Sequence, residues 1–148
     1  FRAGIEAQQA GQMPAALEDY QRATAADPQF FEAWNNLGLV AHESGRADLA
    51  LAAFETALAL RPDSSEVRYN FAVTLRDAGY LLDSVSELQQ VLASNPTDVR
   101  THLALGNLYA QRLKQPQNAR AHYRRVLELD PNNAQAAAIR AWLRGNPG

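Results

Sequence analysis

A proline recurs at Pro28, Pro62 and Pro96, 34 residues apart each time, and again at Pro131 after 35. A fixed period of this length dictates an array of stacked units, because one such unit buries its apolar face only against a neighbour. Other columns keep the step: Gly11, Gly45 and Gly79; Gly4, Gly38, Ala72 and Gly106; Tyr20, Phe54, Leu88 and, one residue late, Tyr123. Ala16, Ala50 and Ser84 follow, with Ala119 one residue late, as do Ala23, Ala57 and Val91, with Val126 one residue late. The columns place one extra residue between Gly106 and Ala119, within the stretch Arg112 to Pro116.

Each unit reads as two helices. In the second unit Phe31, Trp34, Leu37, Leu39 and Val40 share a helical face, which predicts a helix over 31–44. Gly45 ends it, since glycine accepts the left-handed conformation beyond a helix C-terminus. A second helix is expected from about Asp48 to Leu60, stopped by Pro62, with Asp63 suited to cap the next. Pro14 and Pro116 open second helices, where a missing N–H costs little. Strand patterning is absent. Gly38, Ala50 and Ala57 are small where helices must approach closely, and Trp34 and Phe54 are expected to fill the gaps as buried side chains. A last helix, 134–144, is expected to start at an Asn132 cap and to turn Ala137, Ala141 and Leu143 inward. The total is about nine helices.

Of the 148 residues, 47% are hydrophobic and 20% charged, which excludes wholesale disorder. With no cysteine, disulfides, thiolate metal sites and a cysteine nucleophile are excluded. No apolar run approaches the ~18–20 residues that span a bilayer. No signal peptide is visible, and the chain opens on Phe1 as a segment of a longer protein would. Lys114 is the only lysine among 14 basic residues, a bias common in GC-rich bacterial genomes. Residues 1–98 hold 6 Arg against 14 Asp+Glu, net −8, and residues 99–148 hold 8 Lys+Arg against 2, net +6.

Trp34, Leu37, Gly38, Gly45, Ala50, Phe54, Ala57 and Pro62 together resemble the tetratricopeptide repeat (TPR) signature. The resemblance implies an all-α fold: a right-handed TPR solenoid of antiparallel helix pairs with a C-terminal capping helix. It divides the chain into a truncated repeat at 1–30, repeats at 31–64 and 65–98, a fourth with the insertion at 99–133, and the cap at 134–144. The third repeat departs from the pattern, with Arg68 where Trp would stand. The resemblance also implies a protein-interaction module that is not an enzyme and carries no cofactor.

The residues agree with that. No phosphate loop, nucleophile elbow or zinc-helix motif occurs. His42, His102 and His122 are expected to lie apart in the repeat frame, so no metal centre is expected. In a TPR solenoid the first helices line a concave groove. The resemblance assigns to it Asn35, Asn36, Leu39 and His42 from the second repeat and Tyr69, Asn70, Val73 and Arg76 from the third. Arg100, Leu103 and Asn107 come from the fourth. A carboxylate clamp of the chaperone-binding type would need lysines that are missing here; only Asn70 and Arg100 match it. Asn36 and Asn70 instead match two rungs of the asparagine ladder in O-linked N-acetylglucosamine transferase. An amide both donates and accepts, so it pairs with any peptide backbone. The expected partner is therefore a protein or peptide segment. The basic end, Arg112, Lys114, Arg120, Arg124, Arg125, Arg140 and Arg144, is read as a solvated face; with a sequence pI near 5.9, no nucleic acid is expected. The alternative is a self-associating scaffold joined head to tail through opposite charges.

Overall fold

Nine α-helices and one π-helical turn make up the computed structural model, which describes residues 1–148 and contains no strand. The chain divides into two units, 1–78 and 79–148. The first holds α1 (Arg2–Gln9), α2 (Met13–Ala26), α3 (Phe31–Glu43), α4 (Ala47–Leu60) and α5 (Ser65–Asp77). The second holds α6 (Leu81–Ser94), α7 (Val99–Asn107), the π turn (Leu108–Arg112), α8 (Pro116–Leu129) and α9 (Ala136–Gly145). Successive helices pack on one another in each unit.

Two kinds of turn alternate. Within a pair, the short turn passes through Gly11, Gly45 or Gly79 at φ of +72°, +71° and +93°, where a Cβ would be strained. Between pairs, a four-residue turn carries the proline. It closes through Phe30 N–H to the Asp27 carbonyl, Ser64 to Arg61, Asp98 to Asn95 and Asn133 to Asp130. Ser64, not Asp63, caps α5, its hydroxyl accepting from Val67 N at 3.4 Å; Asp98 caps α7 at 3.0 Å from Thr101 N.

The core of the first unit centres on Tyr20, Leu37, Val40 and Phe54, all at most 1% exposed. It is set by a steric bargain inside each pair. A Cβ built on Gly38 would lie 2.6 Å from the Phe54 ring; one on Gly4 would lie 2.9 Å from Tyr20. In the second unit Gly106 stands in the same relation to Tyr123, at 2.6 Å. The ring lies on the bare backbone of the facing helix. In the one repeat with Ala72 in the glycine column, the aromatic column holds Leu88.

Trp34 is only half-buried, because its indole reaches back to the preceding turn: Nε1 donates to the Pro28 carbonyl at 2.9 Å. Arg68 Nη2 does the same to Pro62 at 2.7 Å, and His102 Nε2 to Pro96 at 3.0 Å. This column is defined by an N–H six residues after a proline, so Arg68 keeps the role that the tryptophan pattern appeared to have lost.

The inserted residue is wound into the helix as the π turn Leu108–Arg112, which meets the expected stretch Arg112–Pro116 only at its first residue. Leu113 N–H bonds the Leu108 carbonyl five residues back, where Ser44 bonds Val40 four back. The turn then closes from Gln115 to Tyr109, six residues, where Arg46 to Ala41 spans five. Such a π turn holds one extra residue per hydrogen-bonded ring. Lys114, at φ +55°, takes the left-handed place that glycine holds elsewhere.

The last helix begins at Ala136, two residues later than expected. Asn133 rather than Asn132 organises its entry, accepting from Gln135 N at 2.9 Å and donating to Asp130 at 3.0 Å. Ala136 and Ile139 are buried, with Leu143 half-buried beside them, while Ala137 and Ala141 face solvent.

Candidate functional site

In the first unit, α3 and α5 present matching stripes. Asn35, Leu39 and His42 stand at i, i+4 and i+7, as do Tyr69, Val73 and Arg76, so each set shares one helix face. All six are half-buried. At one end the helices are tied side chain to side chain: His42 Nε2 lies 3.0 Å from Asp77 Oδ2, and Arg76 Nε donates to Asp77 Oδ1 at 2.8 Å. Burial pushes the Asp77 carboxyl up, but the bonds from Arg76 and His42 outweigh it and hold it below the usual range. A cleft of about 180 Å³ opens beside this pair, lined also by Ala47, Thr74 and Ala78.

The two ladder amides differ. Asn36 Nδ2 makes a long 3.5 Å contact with Tyr20 Oη, whose proton goes to Gln8 Oε1 at 2.8 Å. The Asn70 side chain is half-buried and makes no hydrogen bond within the chain; only its backbone carbonyl is used, by Thr74. Asn35 Oδ1 is a buried acceptor with no partner.

In the second unit Arg100 is exposed, 3.9 Å from Asp98, and Leu103 is half-buried. Asn107 has an internal task, accepting the Tyr123 hydroxyl proton at 2.8 Å. A smaller cleft, about 130 Å³, lies between Asn107, Gln111, Tyr123, Ile139 and Trp142.

A sequence family described as tetratricopeptide repeat matches residues 1–65 and 69–134. The chain belongs to the tetratricopeptide-repeat family. Solved structures agree with the fold. One of MamA superposes at a TM-score of 0.88 with 20% identity, covering 96% of this chain and 83% of that one. YrrB, titled a TPR protein with an unusual peptide-binding site, superposes at 0.86 with 20% identity over 94% of this chain and 71% of its own. A TPR protein from Parabacteroides merdae does so at 0.87 with 22% identity over 97% and 58%. No curated protein sequence matches the chain. The all-α TPR solenoid expected from the sequence is thus borne out. A TPR domain is a protein-interaction module and implies a protein partner; no helix here is long and apolar enough to cross a membrane.

One expectation fails inside the fourth TPR repeat. His102 and His122 converge, with their Nδ1 atoms 3.0 Å apart and Tyr109 stacked on His122 at 5.8 Å. His102 occupies the proline-tethered column and so meets His122 on α8. Burial, then the charge of His102, push His122 down from 6.5 to about 4. Unfolded, His122 takes a proton below about pH 6.5; folded, it stays neutral until about pH 4. Stability should therefore fall between those values, by about 1–2 kcal/mol once the partial exposure of the ring is allowed for. Urea melts at pH 7 and pH 4.5 on the parent and His122→Gln check this, and an identical pH dependence in the two would refute it.

The basic end is thinner than its sequence. Arg120 is buried, donating from Nε and Nη2 to the Asn146 carbonyl and from Nη1 to Gln117. Arg125 pairs with Glu128 and Arg140 with the Pro131 carbonyl. Arg112, Lys114, Arg124 and Arg144 remain exposed.

Proposed function

We propose that the α3–α5 face holds an extended peptide segment, with Asn36 and Asn70 pairing with its backbone. The observation that carries this is the state of the two amides, which share one repeat position. Asn70 has no internal hydrogen bond and Asn36 only a long one. A half-buried amide left unpaired in this way is ready to pair with a backbone N–H and C=O. Leu39 and Val73 give the segment apolar anchorage beside the amides. Adjacent helices lie roughly 8–10 Å apart, and a strand rises about 3.3 Å per residue, so the rungs meet backbone groups about three residues apart. Each bond contributes ~0.5–1.5 kcal/mol net. Asn36→Ala with Asn70→Ala should weaken a selected peptide roughly 5- to 150-fold by calorimetry, with helicity intact. Equal affinities would remove the ladder, and loss on changing Arg124 instead would move the site to the basic end.

Charge favours a second reading, head-to-tail self-association. Residues 1–78 hold 6 Arg against 11 Asp+Glu, net −5; residues 79–148 hold 8 Lys+Arg against 5, net +3. Contacts of this origin weaken with salt. Sedimentation at rising concentration should then show association at low ionic strength that disappears at high; a monomer throughout would exclude it.

A further inference from the structure

We propose that His102 and His122 form a two-histidine site for a late first-row divalent cation such as Zn²⁺ or Cu²⁺. The argument begins with the proline-tethered column. A carbonyl only accepts, so the 3.0 Å contact with Pro96 puts the His102 proton on Nε2. In the neutral ring Nδ1 is then a lone pair, aimed at His122 Nδ1. An imidazole whose far N–H is held by a backbone carbonyl is the usual arrangement of a metal-ligating histidine. Trp34 and Arg68, in the same column, have no lone pair to offer. The positions matching His122 in the other repeats hold Asp19, Ala53 and Glu87, so only the fourth repeat builds the pair.

The spacing fits. With metal–nitrogen bonds of about 2.0–2.1 Å, two nitrogens stand about 2.9 Å apart at a right angle and about 3.4 Å at the tetrahedral angle. The observed 3.0 Å falls within that range. One proton, that of His122, sits between the two Nδ1 atoms; the cation takes its place as His122 shifts that proton to its own Nε2 through solvent, so both rings bind as neutral imidazoles. No cluster of three or more ligating side chains exists in the chain, so water completes the coordination, reaching the ion past the half-buried His122. Imidazole nitrogen suits Zn²⁺, Cu²⁺ and Ni²⁺ rather than Mg²⁺.

Titration of Zn²⁺ into chelator-stripped protein at neutral pH, followed by calorimetry, tests this. One equivalent should bind, at least tenfold more weakly in His102→Gln and in His122→Gln, and unchanged in His42→Gln. Mg²⁺ should not bind. Glutamine at 102 keeps an N–H for Pro96, and circular dichroism checks that each variant folds. Should either fail to fold, nitrogen-detected NMR of the parent decides. Zn²⁺ should shift Nδ1 of both His102 and His122. Absence of Zn²⁺ uptake, equal affinity in folded variants, or shifts confined to His42 would overturn the site.

Discussion

Phe54→Ala should destabilise the domain by about 3–5 kcal/mol, the range for truncating a fully buried aromatic ring. Phe54 is 0% exposed and is the ring against which Gly38 packs. Its loss leaves a cavity that the facing backbone cannot fill, because α3 is already at contact distance there. The same truncation at Trp34 should cost clearly less. That ring is half-buried, and what it loses is mainly a tie to the Pro28 carbonyl. Thermal melts of the two variants check the order. A Phe54→Ala melting point within a degree or two of the parent would show that the ring does not hold the pair together.

Gly38→Ala should destabilise by about 2 kcal/mol: an overpacking cost near or above the top of ~1–3 kcal/mol, offset by about 1 kcal/mol of helix propensity. The added Cβ meets three Phe54 ring carbons at 2.6 to 2.8 Å, and the ring has no free space to retreat into. Phe54→Leu is the diagnostic partner. Alone it should destabilise, but on the Gly38→Ala background it should restore stability, since Leu leaves room for the methyl. A double-mutant cycle measures that coupling. The chain's own third repeat, with Ala72 and Leu88, carries the compensated combination. Additive effects would mean that the close approach is not what selects glycine.

Phe54 and Gly38 belong to the part of the fold that is legible in the sequence. The helices and turns are legible because the columns that set them do one thing each: glycine for a left-handed turn, proline for a stop, a small residue where helices touch. The column of Trp34 is not, because a tryptophan in a sequence reads first as bulk. Its working part is an N–H, and Trp34, Arg68 and His102 share only that. A donor six residues after each proline turns His102 toward the preceding turn and α8, which is how it meets His122. The internal bond of Asn107 is not legible in the repeat frame: the Tyr123 hydroxyl needs an acceptor, and no column of the period marks one. The inward face of α9 was out of phase because Ala136, Ala137, Ala138 and Ala141 offer little contrast, and only Ile139 marks the side. Asn36 and Asn70 lie on α3 and α5 at one shared position of the 34-residue period.

The π turn at Leu108–Arg112 carries a consequence for how a repeat array changes length. An extra residue usually enters a protein as a bulge in a loop, where it disturbs nothing. Here it is stored as a change of winding, so the helix carries more chain in one coil and hands the surplus to the next segment as a phase shift. Residues before the coil and residues after it each keep their own packing, as the intact fits of Gly106 on Tyr123 and of Tyr123 on Trp142 demonstrate. The array thus has a mechanical buffer: one repeat can differ in length by a single residue while its partner helix still meets it in step.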